Sequence, residues 1–173
     1  ARIYSDLDNR IKDRTEKLVT VNETLELEID DRKQAEEDLR KSETRLKTIL
    51  ETTNEGFVQI NNEAEIIDIN FAMCLMLGRS RDEIIGHIAT EFMDDEGLVI
   101  FRKQMSLRET GMPGAYEIMF IRPDGSKVYC LVNATPLVDK SGNKNGSFAL
   151  ITDITKRIEA EASVNKIKSL LSE

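Results

Sequence analysis

The chain offers few residues from which chemistry could start. Of 173 residues one is histidine, His87, and two are cysteines, Cys74 and Cys130. A nucleophile needs a base within hydrogen-bond reach, and His87 has no evident partner. It follows Gly86 at a predicted helix end, where an exposed or cationic side chain is ordinary. The cysteines lack metal-ligand spacing and sit in apolar runs, Met73-Cys74-Leu75 and Tyr129-Cys130-Leu131. They read as small buried hydrophobes in a chain suited to a reducing cytoplasm. No glycine-rich loop of the phosphate-cradling kind is present. Tyr129 and Asn133 alternate on one predicted strand and are the polar groups that could orient a small ligand. None of this makes a catalytic constellation, so the sequence is expected to be non-enzymatic, with no metal site.

Charge narrows the partners. Thirty-two acidic against 24 basic residues give a net charge of -8. That disfavours duplex nucleic acid and an anionic membrane surface. No apolar run approaches the roughly 20 residues that span a bilayer. The N-terminus is charged, has no signal-peptide core and lacks an initiating Met, so the chain reads as part of something longer.

The breakers show what must position these residues. All nine glycines and all three prolines lie between Gly56 and Gly146. Because both residues punctuate turns, this layout predicts a compact domain with an unbroken helix before it and another after it. In the first helix one seam runs Ile11, Leu18, Leu25, Arg32, Leu39, Leu46. The other runs Arg14, Val21, Glu28, Ala35, Ser42, Ile49. Eight of these twelve are apolar, a stripe too narrow for a globular core and matched to a coiled-coil seam. Such a helix would be about 75 Å long and would need a partner helix for support. Glu28 and Arg32 interrupt the seam: either it shifts onto Leu27 and Ile29, or the charges form a weak layer that sets register.

Inside the window the period changes. Phe57–Ile60 and Ile66–Ile69 read as a hairpin around Asn61-Asn62-Glu63-Ala64. Asn70 caps a helix over Phe71–Leu77 that ends at Gly78. Ser80 with Glu83 forms a capping box for a short helix ending at Gly86. A longer helix near Leu98–Glu109 carries Leu98, Phe101 and Met105 on one face. Strands over Ala115–Arg122 and Lys127–Leu137 flank the turn Pro123-Asp124-Gly125. Asp139–Gly146 is a polar connection, and Ser147–Asp153 is the last strand. This order predicts an α+β fold: one five-stranded antiparallel sheet with its helices on one face.

Three phrases carry a family resemblance. Ile69-Asn70-Phe71-Ala72 through Leu77-Gly78-Arg79-Ser80-Arg81-Asp82-Glu83-Ile84-Ile85-Gly86, then Arg122-Pro123-Asp124-Gly125-Ser126, then Asp153-Ile154-Thr155-Lys156-Arg157 with Ala160-Glu161, resemble motifs of PAS domains in the same order. The flanking helices resemble the signalling coils of sensor histidine kinases and diguanylate cyclases. The expected division is a coiled-coil helix over 1–50, a PAS domain over 51–155 and a signalling helix over 156–173. Independently, Ile29, Arg32, Ala35 and Glu36 recur at the same offsets as Ile154, Arg157, Ala160 and Glu161, 125 residues later.

The resemblance implies a cytoplasmic sensory or relay module of a two-component receptor, one that can be membrane-bound elsewhere. Asp153 and Thr155 would couple the last strand to the exit helix. Its partners would be a second copy, in a parallel homodimer through residues 1–50 and the exit helix, and neighbouring domains of the same receptor. An exit helix without histidine, Ile158–Leu171, cannot be the phospho-accepting helix of a kinase. The alternative is a metabolite sensor with an apolar pocket. Period and resemblance assign its walls to Phe57, Ala72, Met76, Met105, Tyr116, Ile118, Phe120 and Leu150, with Tyr129 and Asn133 as polar groups. Haem is disfavoured: the long helix before the third strand has no axial histidine, and Met93, Met105 and Met119 read as core filler. Flavin is disfavoured because the cysteine phrase of light-oxygen-voltage relatives is absent. No cofactor is expected beyond an unidentified small ligand.

Overall fold

The computed structural model describes residues 2–170. The chain divides into two units, Ala1–Thr48 and Ile49–Glu173. The first is the breaker-free helix α1, Arg2–Thr52, whose last turn belongs to the second unit. Its described side chains over 6–48 are all exposed, the seam residues Leu18 and Leu25 included. Ion pairs one turn apart join Asp13 to Lys17 and Glu37 to Lys41, at 2.8 and 3.0 Å. Arg32 pairs with Glu36 at 2.9 Å. Each such exposed pair stabilises by only about 0.3–0.5 kcal/mol, too little to hold a helix of this length alone.

In the second unit, β1 (Gly56–Ile60), β2 (Ile66–Ile69), β3 (Gly114–Ile121), β4 (Lys127–Val138) and β5 (Lys144–Asp153) form one antiparallel sheet in the order β2-β1-β5-β4-β3. Between β2 and β3 come α2 (Phe71–Leu77), two 3-10 turns (Arg81–Glu83 and Ala89–Phe92) and α3 (Asp95–Glu109). The chain leaves through α4 (Thr155–Leu170); its sequence-predicted end at Leu171 lies outside the described residues.

The alternation along β4 is clean: Val128, Cys130, Val132 and Ala134 are buried, while Lys127, Tyr129, Asn133 and Thr135 are exposed. Register carries this phase across the sheet. Val132 lies opposite Tyr116 on β3 and Ile151 on β5, and Val58 on β1 opposite Ala149. That face meets the helices through Ile69, Leu77, Ile84 and Phe101.

Three local outcomes refine the sequence reading. The segment from Ser80 to Gly86 closes as a single 3-10 turn, with Glu83 accepting from both the Ser80 N–H and its hydroxyl. α3 starts earlier than its apolar face, because Asp94 caps it by accepting from Gly97 N at 2.9 Å. β5 starts at Lys144 rather than Ser147. Asp139 accepts from Ser141 N and Asn143 N, which tightens the connection and frees Lys144 to pair with Val138.

Candidate signal-coupling site and internal cavity

Both helices that flank the second unit's sheet are tied to it by side-chain caps. At the first joint stands Asn70, 1% exposed. Its carbonyl oxygen accepts from Met73 N, the N-cap bond of α2, and from Phe57 N at the start of β1. Its amide donates to Leu50 O in the last turn of α1 and to Glu55 O. One side chain thus fills its bonding capacity while joining α1, β1 and α2. Two carboxylates reinforce the joint: Glu51 accepts from Phe71 N at 3.0 Å, and Glu55 from the Thr152 hydroxyl at 3.0 Å.

The second joint is Asp153-Ile154-Thr155. Asp153 accepts from Thr155 N at 2.8 Å. The Thr155 hydroxyl accepts from Tyr129 N at 3.0 Å, and Ile154 N donates to Tyr129 O at 2.8 Å. Ile154 is buried and begins the helical ladder by accepting from Ile158 N. Arg157 on the first turn of α4 forms an ion pair with Glu117 on β3. The start of α4 is therefore fastened to β4 and β3 as well as to the strand it continues. Sequence reading singled out Asp153 and Thr155 but missed Arg157 as a clamp and Asn70 as more than a cap.

An internal cavity of about 40 Å³ lies between the buried sheet face and the helices. Ile60, Ile66, Met73, Leu77, Phe92 and Val132 form much of its apolar wall. The small side chains of Ser147 and Ala149 on β5 help leave the space open. Of the sequence-assigned wall residues, Tyr116 and Phe120 line it. Ala72 and Met76 instead border a surface depression beside Glu51, Arg122 and Asp153. Met105 borders another beside Asn62 and Ile88, and Ile118 a third that Tyr129 shares.

The β register corrects four assignments. Phe57, Leu150, Tyr129 and Asn133 belong to the opposite face of the sheet: Phe57 pairs with Leu150, Asn133 pairs with Leu150, and Tyr129 is two residues along β4 from Leu131. The reason is the central strand β5, which carries apolar side chains on both faces, Phe148 and Leu150 on the outer one and Ala149 and Ile151 on the inner. On that outer face Phe57 and Phe148 pack with ring centroids 6.3 Å apart.

The cavity's polar groups were not anticipated. Arg108 on α3 is 3% exposed and lines the cavity, as does Ser147, 1% exposed. Arg108 continues the Leu98, Phe101, Met105 stripe by one helical step, so period pointed inward where residue type pointed outward. Burial pushes the Tyr116 phenol up, and the adjacent Arg108 charge offsets part of this.

Elsewhere, burial pushes the Cys130 thiol up to about 12, with Asp153 adding to the shift. Burial also raises Cys74. Both thiols are held in the protonated, poorly nucleophilic form. His87 Nδ1 stands 2.9 Å from Glu91, and that contact lowers the Glu91 carboxyl. Among the described residues no group of three or more His, Cys, Asp or Glu is placed to hold a metal ion. No described helix is long and apolar enough to cross a membrane.

Comparison with known proteins matches residues 54–156 to the PAS domain family model. The chain is 25% identical over 135 residues to the C4-dicarboxylate transport sensor protein DctS of Rhodobacter capsulatus, covering 75% of this chain and 20% of that one. It is 33% identical over 109 residues to Sporulation kinase A of Bacillus subtilis strain 168, covering 62% and 18% respectively. The chain thus spans about a fifth of the length of these relatives. The PAS domain of an HTR-like protein from Haloarcula marismortui superposes with a TM-score of 0.59 at 23% identity, over 70% of this chain and 99% of that one.

Proposed function

Since the chain belongs to the PAS domain family, we propose that it is the sensory relay module of a cytoplasmic sensor histidine kinase, passing conformational signals from α1 to α4. The observation that carries this reading is the pair of capped joints. Asn70 ties the last turn of α1 to β1, and Asp153 with Thr155 ties α4 to β4. Gly56 and Ile151, at the ends of β1 and β5 nearest those joints, are register partners. A displacement at one joint is therefore delivered to the other through a single strand pair. Two arrangements of the exit helix differing by a few kcal/mol are enough for a switch.

The relay works as a parallel homodimer through residues 1–50 and the exit helix. The exposed apolar seam of α1 supports this, because a helix with no buried face needs another helix to cover it. The module carries no catalytic role and no resident haem or flavin. A cavity of about 40 Å³ supports that reading, since cofactor-sized sites occupy roughly 300 Å³ or more.

The coupling test is the double variant Asp153→Ala, Thr155→Ala placed in the full-length receptor. It is expected to leave the domain folded by circular dichroism and to uncouple stimulus from kinase output. Stimulus-dependent output at the wild-type level would refute the coupling role.

A further inference from the structure

We propose that the internal cavity is a binding site for a short-chain carboxylate, held by Arg108 and Ser147. This adds a chemical input to the relay reading and is tested on the cavity alone.

Arg108 is a cation removed from water, at 3% exposure. No carboxylate among the described residues lies within 4 Å of it, so its charge has no counterion. Its Nε donates to Gln104 O at 3.2 Å and one terminal nitrogen to the Tyr116 hydroxyl at 3.4 Å. Both are long, and both acceptors are neutral. The rings of Phe101 and Tyr116 lie 5.7 and 5.9 Å from the guanidinium carbon, which orients the group without neutralising it. A guanidinium has five donors in a fork shaped for a carboxylate, and burying one unpaired is costly. From β5 the Ser147 hydroxyl reaches the same cavity with no hydrogen-bond partner. A cation without an anion and a hydroxyl without a partner thus border one cavity.

Size and polarity narrow the ligand. At about 40 Å³, well below the roughly 300 Å³ of a drug-sized site, the cavity suits a small ligand. The remaining wall, Met73 and Leu77 among it, is apolar and fits a methyl group better than a second polar end. Acetate has this shape: two oxygens for Arg108 and Ser147 and a methyl for the apolar wall.

The test is a titration of the isotope-labelled 173-residue chain with sodium acetate, balanced with chloride at constant ionic strength and followed by amide NMR. Acetate is expected to give saturable shifts at Ser147 and Ala149, while acetamide, of similar shape but neutral, gives none. Arg108→Met is expected to abolish the shifts, and Ser147→Ala to weaken binding about tenfold while leaving the fold intact. Should Arg108→Met fail to fold, the Ser147→Ala comparison and the acetamide control decide the matter. Equal responses to acetate and acetamide, no saturable response, or unchanged acetate binding in either folded variant would overturn the proposal. Nitrate binding as tightly as acetate would also overturn it, by assigning the cavity to planar oxyanions in general. The Asp153→Ala, Thr155→Ala variant retains acetate binding, so failure of the relay reading and failure of this one are separate results.

Discussion

At the scale of single residues, Asn70 shows how one amide can replace a layer of packing. Its oxygen accepts twice and its nitrogen donates twice, and all four partners are backbone groups. Removing the amide orphans groups that water cannot easily reach. Asn70→Ala is therefore expected to destabilise the domain by about 2–4 kcal/mol, read from the urea midpoint. Asn70→Asp keeps size and the cap but turns donors into acceptors against Leu50 O and Glu55 O. It is expected to cost at least as much, and an Asp variant close to wild type would show that the amide's donors carry little. The cap was legible, because Asn directly before an apolar helical run is a local signal. The bonds to Phe57, Glu55 and Leu50 were not, since their partners lie 13, 15 and 20 residues away. Arg108 escaped notice for a different reason. Its helical phase was readable, but a charged residue at an inward position contradicts the ordinary preference for water.

At the scale of elements, the strands and their hairpins could be read from alternation and turn residues, and β2 and α2 begin and end where the sequence placed them. Phase across the sheet could not be read in the same way. A strand such as β5, apolar on both sides, fixes which residues share a face but not which face turns inward, and bulk misleads when the inner positions are Ser147 and Ala149. Pairing partners depend on contacts distant in sequence, as with β1 beside β5. The tightest point of that pairing is Gly146, at φ +99, where an added Cβ would lie 2.3 Å from the Ile60 carbonyl oxygen. The obstacle is backbone, so it cannot rotate away. Gly146→Ala is expected to cost about 2–4 kcal/mol and to loosen the β1–β5 pair specifically. Hydrogen exchange would show this as lost protection at Val58 and Ile60 with β3 little changed, and uniform protection across the sheet would contradict it.

At the scale of the whole chain, the two units are stabilised by different means. The second has a core, whereas the first has an apolar seam exposed along its length. Deleting residues 1–45 is accordingly expected to convert a dimer to a monomer by light scattering, with the domain still folded. The same oligomeric state in both forms would rule out the seam as the dimer contact. Of the two charged interruptions of that seam, Arg32 has an ion-pair partner on its own helix, Glu36. The domain's two connections to the flanking helices meet at one strand pair, Gly56 beside Ile151, with Glu55 bonded to Thr152. A folded unit whose chain ends are neighbours can be spliced into an existing helix, or cut out of it, with little loop closure to make up. The Ile154–Glu161 phrase shares its isoleucine, arginine, alanine and final glutamate with Ile29–Glu36 at the same offsets. The neighbouring ends make this unit suited to grafting between foreign helices at the same two points.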